Sequence, residues 1–167
     1  MEMKKNNKGF SLVELIIVIA IMAVLMAVLA PQFLRYIERS RLQSDNTAIG
    51  EIARAMEIAA ADETVTAEIV GAGATGVVYT AAGAANAVKT FSFPATGGTE
   101  LDNEVGATVG NTVQLDSNTY TTAGAGPSIR ALSDGGVIVV EVQNFFNEPA
   151  ADGGTLITAW TRVDQMN

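Results

Sequence analysis

Neither cysteine nor histidine occurs among the 167 residues. Without thiols no disulfide can close any part of the fold. The lack of both residue types also removes the usual general base, the thiol nucleophile and the soft metal ligands. This composition argues against an enzyme, and no catalytic residue, metal ligand or cofactor is assigned. Asp134 and Asp152 stand beside glycine pairs, but they lack the alternating Asp and Asn spacing of a calcium loop and read as turn residues. Basic side chains are scarce too: from Asp62 onward only Lys89, Arg130 and Arg162 remain. Phosphate backbones require clustered lysine and arginine, so direct nucleic-acid binding by a single chain is not expected. No Asn-x-Ser/Thr acceptor for N-glycosylation is present.

What the chain has in quantity is apolar sequence near its start. From Phe10 to Leu34 the single ionisable residue is Glu14, and Leu15 to Ala30 is an unbroken run of sixteen apolar residues. That is close to the roughly twenty needed to cross a bilayer. A secretory signal would be cut behind its apolar core at a small-residue site. Here the best candidate, Val28-Leu29-Ala30, is followed by Pro31, which should block the cut, so the segment is expected to stay in the mature protein. Glu14 is costly in such a run, since a carboxylate at the centre of a membrane helix costs about 2.5 to 3.5 kcal/mol on insertion scales. It needs a cation, and the next basic residue is Arg35, a whole span away. Cutting between Gly9 and Phe10 would create one in the free Phe10 amine, about a turn from Glu14 in the same helix or supplied equally well by a neighbouring chain. Pro31 has no N–H for the carbonyl of Ala27, so the helix is expected to bend or open there. Charge counting leaves orientation open, because Lys4, Lys5 and Lys8 on one side face Arg35, Arg39 and Arg41 on the other.

Lys8-Gly9-Phe10-Ser11-Leu12-Val13-Glu14, with the apolar run behind it, resembles the class III signal of type IV pilins and of the related pseudopilins of type II secretion and DNA-uptake systems. The resemblance covers residues 4 to 60 and takes in Pro31, Gln32, Phe33 and Tyr36. It implies that a prepilin peptidase removes residues 1–9 by cutting after Gly9, on the cytoplasmic side, and that Phe10 is N-methylated. It further implies that Glu14 recruits each subunit by pairing with the Phe10 amine of its neighbour. The implied partners are further copies of the chain, the peptidase, the cytoplasmic membrane before assembly, and a pilus assembly platform with its motor ATPase. The implied location is a single-pass membrane protein with a cytoplasmic N-terminus that becomes part of a cell-surface filament. Ala23 departs from the family, where many relatives have glycine, and the absence of cysteine departs from the disulfide-closed pilins of many Gram-negative bacteria.

Past the span, Ile49, Ile52, Ala53, Met56, Ala59 and Ala60 recur at helical spacing, with Asp45, Glu51, Arg54 and Glu57 assigned to other faces. Residues 10–34 thus read as the membrane and assembly half of one long helix, and 35–61 as its amphipathic half. Residues 62–167 read as a β-rich globular head, rich in glycine, alanine and threonine. The fold class is α+β, the long helix packing against a C-terminal antiparallel sheet. Strands are expected at Val77–Tyr79, Thr90–Phe93, Thr112–Leu115 and Val137–Val142. A hairpin is expected to join Gly136–Asn144 to Thr155–Val163, and Gly71–Gly76 and Gly97–Gly110 read as long loops. Trp160 is expected on a strand as a core anchor. Phe145 and Phe146 are expected on opposite faces, one buried and one at a subunit contact.

Losing the leader takes away three lysines and one glutamate, leaving 7 basic and 17 acidic residues and a net charge of −10. The reading that unites these features is a structural subunit of a type IV pilus serving adhesion, motility or biofilm. A pseudopilin is the alternative, disfavoured because the compact calcium-loop pattern of major secretion pseudopilins is missing. A singly anchored surface enzyme or binding protein would leave Glu14 without a reason.

Overall fold

The computed structural model describes residues 10–84, 87–94, 97–122 and 126–165. These divide in sequence between Tyr36 and Ile37 into two compact units. A single helix, α1 (Leu12–Ala59), contributes its first part to one unit and its second part to the other. Among the described residues the first unit is helix from Leu12 onward, and every one of its side chains is exposed. The helix is continuous through Pro31, so the expected opening of the backbone is not seen in the isolated chain.

The second unit is built on Ile37 to Ala59 of α1. Leu42, Ile49, Ile52, Ala53, Met56 and Ala59 turn inward, at spacings that place them on one face of the helix. They form one hydrophobic cluster with side chains from the elements that follow. Each large side chain fully buried there contributes about 1.5–3 kcal/mol. The other elements are α2 (Glu63–Gly71), β1 (Val77–Thr80), β2 (Lys89–Ser92), α3 (Glu100–Val109), β3 (Thr112–Leu115), α4 (Asn118–Thr122), β4 (Ser128–Asp134), β5 (Val137–Gln143), β6 (Phe145–Phe146), β7 (Leu156–Ile157) and β8 (Thr161–Arg162). The principal sheet has the antiparallel order β1-β4-β5-β8, and β2–β3 and β6–β7 form two separate ribbons.

The α+β architecture is as expected, and strands do occur at the four predicted runs. Several details differ. The stretch read as a loop from Gly97 to Gly110 contains α3, whose Leu101 and Val105 are buried. Thr99 and Asp102 start it with a reciprocal capping box, a signal that the surrounding glycines obscured. The region after residue 62 also holds α2 and α4, so it is less purely β than its composition indicated. The expected hairpin from Gly136 to Val163 is split. β5 pairs first with β4 through the two-residue turn Gly135-Gly136, both at positive φ, which suits the right-handed twist of a tight hairpin. Asn144, at φ 59°, then breaks the chain direction, so that β6 pairs with β7 while β5 meets β8 at Glu141 and Val142 alone.

Side-chain placement differs as well. Phe145 and Phe146 are both buried, since α4 covers the second of them: Tyr120 meets Phe146 edge-on at 5.9 Å between ring centroids. Trp160 lies just ahead of β8 rather than on a strand and is half-buried. Its ring supports the Arg130 guanidinium at 4.2 Å, while Arg130 bonds Glu141 across the strands at 2.7 Å. Lys89 is fully buried, its Nζ donating to the carbonyls of Gly83 and Ala84 at 2.8 and 2.9 Å. It is thus withdrawn from the already short roll of surface cations. Gly76 is required where it stands, because a Cβ there would overlap the Ala131 carbonyl and its φ is 69°.

Candidate functional site: the N-terminal helix and its carboxylate

Gly9, the expected cleavage position, lies outside the described residues. Phe10 is 85% exposed and precedes the helix. The Ser11 carbonyl accepts from the Leu15 amide at 3.2 Å, which makes Ser11 the residue that opens α1. The Ser11 N–H in turn donates to the Glu14 carboxylate at 3.0 Å. This is the side-chain half of a capping box, in which an acid three residues into a helix folds back on the first amide, and negative charge at a helix start also suits the helix dipole. Sequence spacing paired Glu14 with an amine about a turn away. The geometry adds a partner that the chain supplies for itself, and Ser11-Leu12-Val13-Glu14, with serine and glutamate three apart, was the signal for it.

Pro31 lies seventeen residues beyond Glu14, about 25 Å along the axis, so the two do not form one site. Between them Leu15 to Ala30 is exposed throughout, and the helix is long and apolar enough to cross a membrane. Near Pro31 a groove of about 610 Å³ runs along the helix, lined by Met26, Leu29, Ala30, Gln32, Phe33 and Tyr36. No group of three or more acidic side chains able to hold a metal occurs among the described residues.

A second set of polar residues, missed in the sequence, fastens the head to the later part of α1. Asp45, assigned above to an outward face, is 4% exposed. Its two oxygens accept the amides of Asp116 and Ser117 at 3.0 and 2.9 Å. Seven residues earlier, Glu38 accepts the amide and the hydroxyl of Thr119 at 2.8 and 3.0 Å. Asn46 donates to the Phe146 carbonyl at 2.9 Å and accepts from the Tyr120 hydroxyl at 2.8 Å. Burial holds the Tyr120 hydroxyl well above its ordinary ionisation range, so it remains a donor. A spacing of seven puts Glu38 and Asp45 on one helix face, but which face would be buried depends on the turn at residues 116–119, and that turn is brought to the helix by the tertiary fold.

The family model described as the prokaryotic N-terminal methylation motif matches residues 4–30. Two proteins named "Type IV major fimbrial protein FimA", both from Dichelobacter nodosus, are similar to this chain. One is 40% identical over 60 residues, 36% of this chain and 38% of its own length. The other is 42% identical over 55 residues, 33% of this chain and 35% of its own. The N-terminal segment is thus similar to that of proteins named as type IV fimbrial subunits. A "Prepilin peptidase-dependent protein A" from Clostridium perfringens is also similar, at 33% identity over 69 residues, 41% of this chain and 49% of its own length. The chain thus spans about a third to a half of the curated relatives it matches. No solved structure matches it. The segment matched by the family model lies largely within the exposed apolar part of α1.

Proposed function

We propose that this chain is a structural subunit of a type IV pilus. It is held in the cytoplasmic membrane by its N-terminal helix, cut after Gly9 by a prepilin peptidase, and N-methylated on Phe10. A membrane platform and motor ATPase would then polymerise it into a surface filament. The observation that carries this reading is the sixteen-residue apolar stretch, exposed on all sides in the single chain and interrupted at its start by one carboxylate. Such a surface has two environments open to it, lipid before assembly and the equivalent helices of other copies after it. A contact repeated head to tail that does not close on itself propagates as a filament. Glu14 would then exchange its bond with Ser11 for the Phe10 amine of a neighbour.

The test is electron microscopy of filaments sheared from cells producing the chain, with mass spectrometry of the recovered subunit. Abundant filaments whose subunit begins at N-methylated Phe10 are expected. A cut subunit found only in the membrane fraction would favour a short pseudopilus instead, and an uncut subunit would overturn both readings. Glu14→Ala should still be cut and inserted yet give at least tenfold fewer filaments, whereas Gly9→Val should remain uncut, as its mobility on a gel would show. Normal filaments from Glu14→Ala would remove the proposed role of the carboxylate.

A further inference from the structure

Gln32 is the one residue between Leu15 and Leu34 whose side chain can donate a hydrogen bond. It is exposed, it lies in the groove beside Pro31, and its carboxamide makes no hydrogen bond among the described residues. Next to it in sequence, Pro31 creates the complementary lack. Because proline has no N–H, the carbonyl of Ala27 loses the donor that every other helix carbonyl around it has. A stretch that is otherwise wholly apolar therefore carries one unpaired carboxamide, with N–H groups to donate, and one freed backbone acceptor. In an apolar surrounding, backbone carbonyls must find a partner.

The two cannot satisfy each other within one chain. Successive residues of a helix are turned by about 100°, so Gln32 projects well round the helix from Pro31, above which the Ala27 carbonyl opens. A second helix can bring them together. We infer that Gln32 donates to the Ala27 carbonyl of an adjacent copy of this chain, a second polar contact at the far end of the assembly helix. The inference rests on the assembly reading above and adds a residue to it.

The stagger between copies supports the assignment. Placing Glu14 beside a neighbour's Phe10 amine offsets the two helices by four residues, about 6 Å at 1.5 Å per residue. The same offset sets Gln32 level with the neighbour's Val28. The Ala27 carbonyl oxygen points along its helix toward the C-terminus and so lies at that level. A glutamine side chain leans toward the N-terminus of its own helix, within reach of it. One displacement thus satisfies both polar positions of the apolar segment.

Two experiments on full-length chains in producing cells test this. Gln32→Leu should leave cutting and membrane insertion unchanged and lower the filament yield several-fold. In a Pro31→Ala background, where the Ala27 carbonyl regains its helical donor, Gln32→Leu should have no further effect, a coupling that a loss of general packing would not produce. The chain has no cysteine of its own, so cells producing a Val28→Cys chain together with a Gln32→Cys chain should yield disulfide-linked dimers in sheared filaments. Val24→Cys with Gln32→Cys should not. If Pro31→Ala alone prevents assembly, the cysteine pairs decide. Normal filaments from Gln32→Leu, or equal cross-linking of the two cysteine pairs, would overturn the inference and leave Gln32 as a side chain solvated at the membrane boundary. Absence of filaments from the unsubstituted chain would overturn the assembly reading, and this contact with it.

Discussion

Asp45 is a buried acid, and its two oxygens hold the Asp116 and Ser117 amides against α1. Asp45→Ala would leave both amides without their acceptor, at a cost of about 2–3 kcal/mol, to be measured by urea unfolding of the full chain in detergent micelles. Burial is the largest influence on the Asp45 carboxyl and pushes it above the usual carboxylate value of 3.8, against the downward pull of those same amides. A carboxyl raised on folding binds its proton more tightly in the folded state. Its stabilising contribution is therefore complete below 3.8 and is lost as pH rises through the folded value. Asp45→Asn, which cannot titrate, should flatten the part of the stability profile just above pH 3.8; an unchanged profile would show that the raised carboxyl does not couple to folding. Glu14 was conspicuous in the sequence because it stands alone in an apolar run. Asp45 was not, because its neighbours in sequence are polar and the amides it serves are some seventy residues away.

Among the elements, those with strong local signals were legible and those whose signal was mixed were not. β3 coincides with the predicted run Thr112–Leu115, and β5 is a β-branched stretch bounded by glycine. α3 was hidden because four glycines lie in or around its ten residues, although Thr99 and Asp102 cap it reciprocally. Thr99→Ala removes the hydroxyl that accepts the Asp102 amide at 3.3 Å and donates to the Asp102 carboxylate at 3.1 Å. It should cost about 1 kcal/mol, in the range of other N-cap losses, and amide hydrogen exchange should speed up in α3 before it does in β4 or β5. Equal exchange throughout would show that the head opens as a single unit and that the cap is not a local determinant. The meeting of β5 with the segment that holds β8 was expected from the sequence, whereas β4 was not among the expected strands and its pairing with β5 was not read there. Strand partners are chosen by turn geometry, here at Gly135-Gly136 and at Asn144, and not by the runs alone.

For the molecule as a whole, charge sets the terms of association. Cut after Gly9 as proposed, the chain would carry a net charge of −10 and, with Lys89 buried and with Arg130 and Arg162 each facing an acid, should repel its copies at low ionic strength. Screening at 0.1 M salt confines such forces to about 10 Å, so sheared filaments should associate laterally more readily at 150 mM than at 10 mM salt, as light scattering would show. The reverse dependence would mean that salt-sensitive ion pairs between subunits dominate. The amino-acid sequence by itself determined the apolar helix, its single carboxylate, the proline that frees a carbonyl, and the want of thiols, imidazoles and clustered cations, because each follows from residue type and local spacing. The tertiary structure alone decided that Asp45 and Glu38 serve as clasps, that both phenylalanines of β6 are buried, that Lys89 is withdrawn from the surface, and how the strands are ordered. Each of these depends on residues far apart in sequence competing to bury the same apolar surface and satisfy the same backbone groups, and no local pattern records the outcome of that competition.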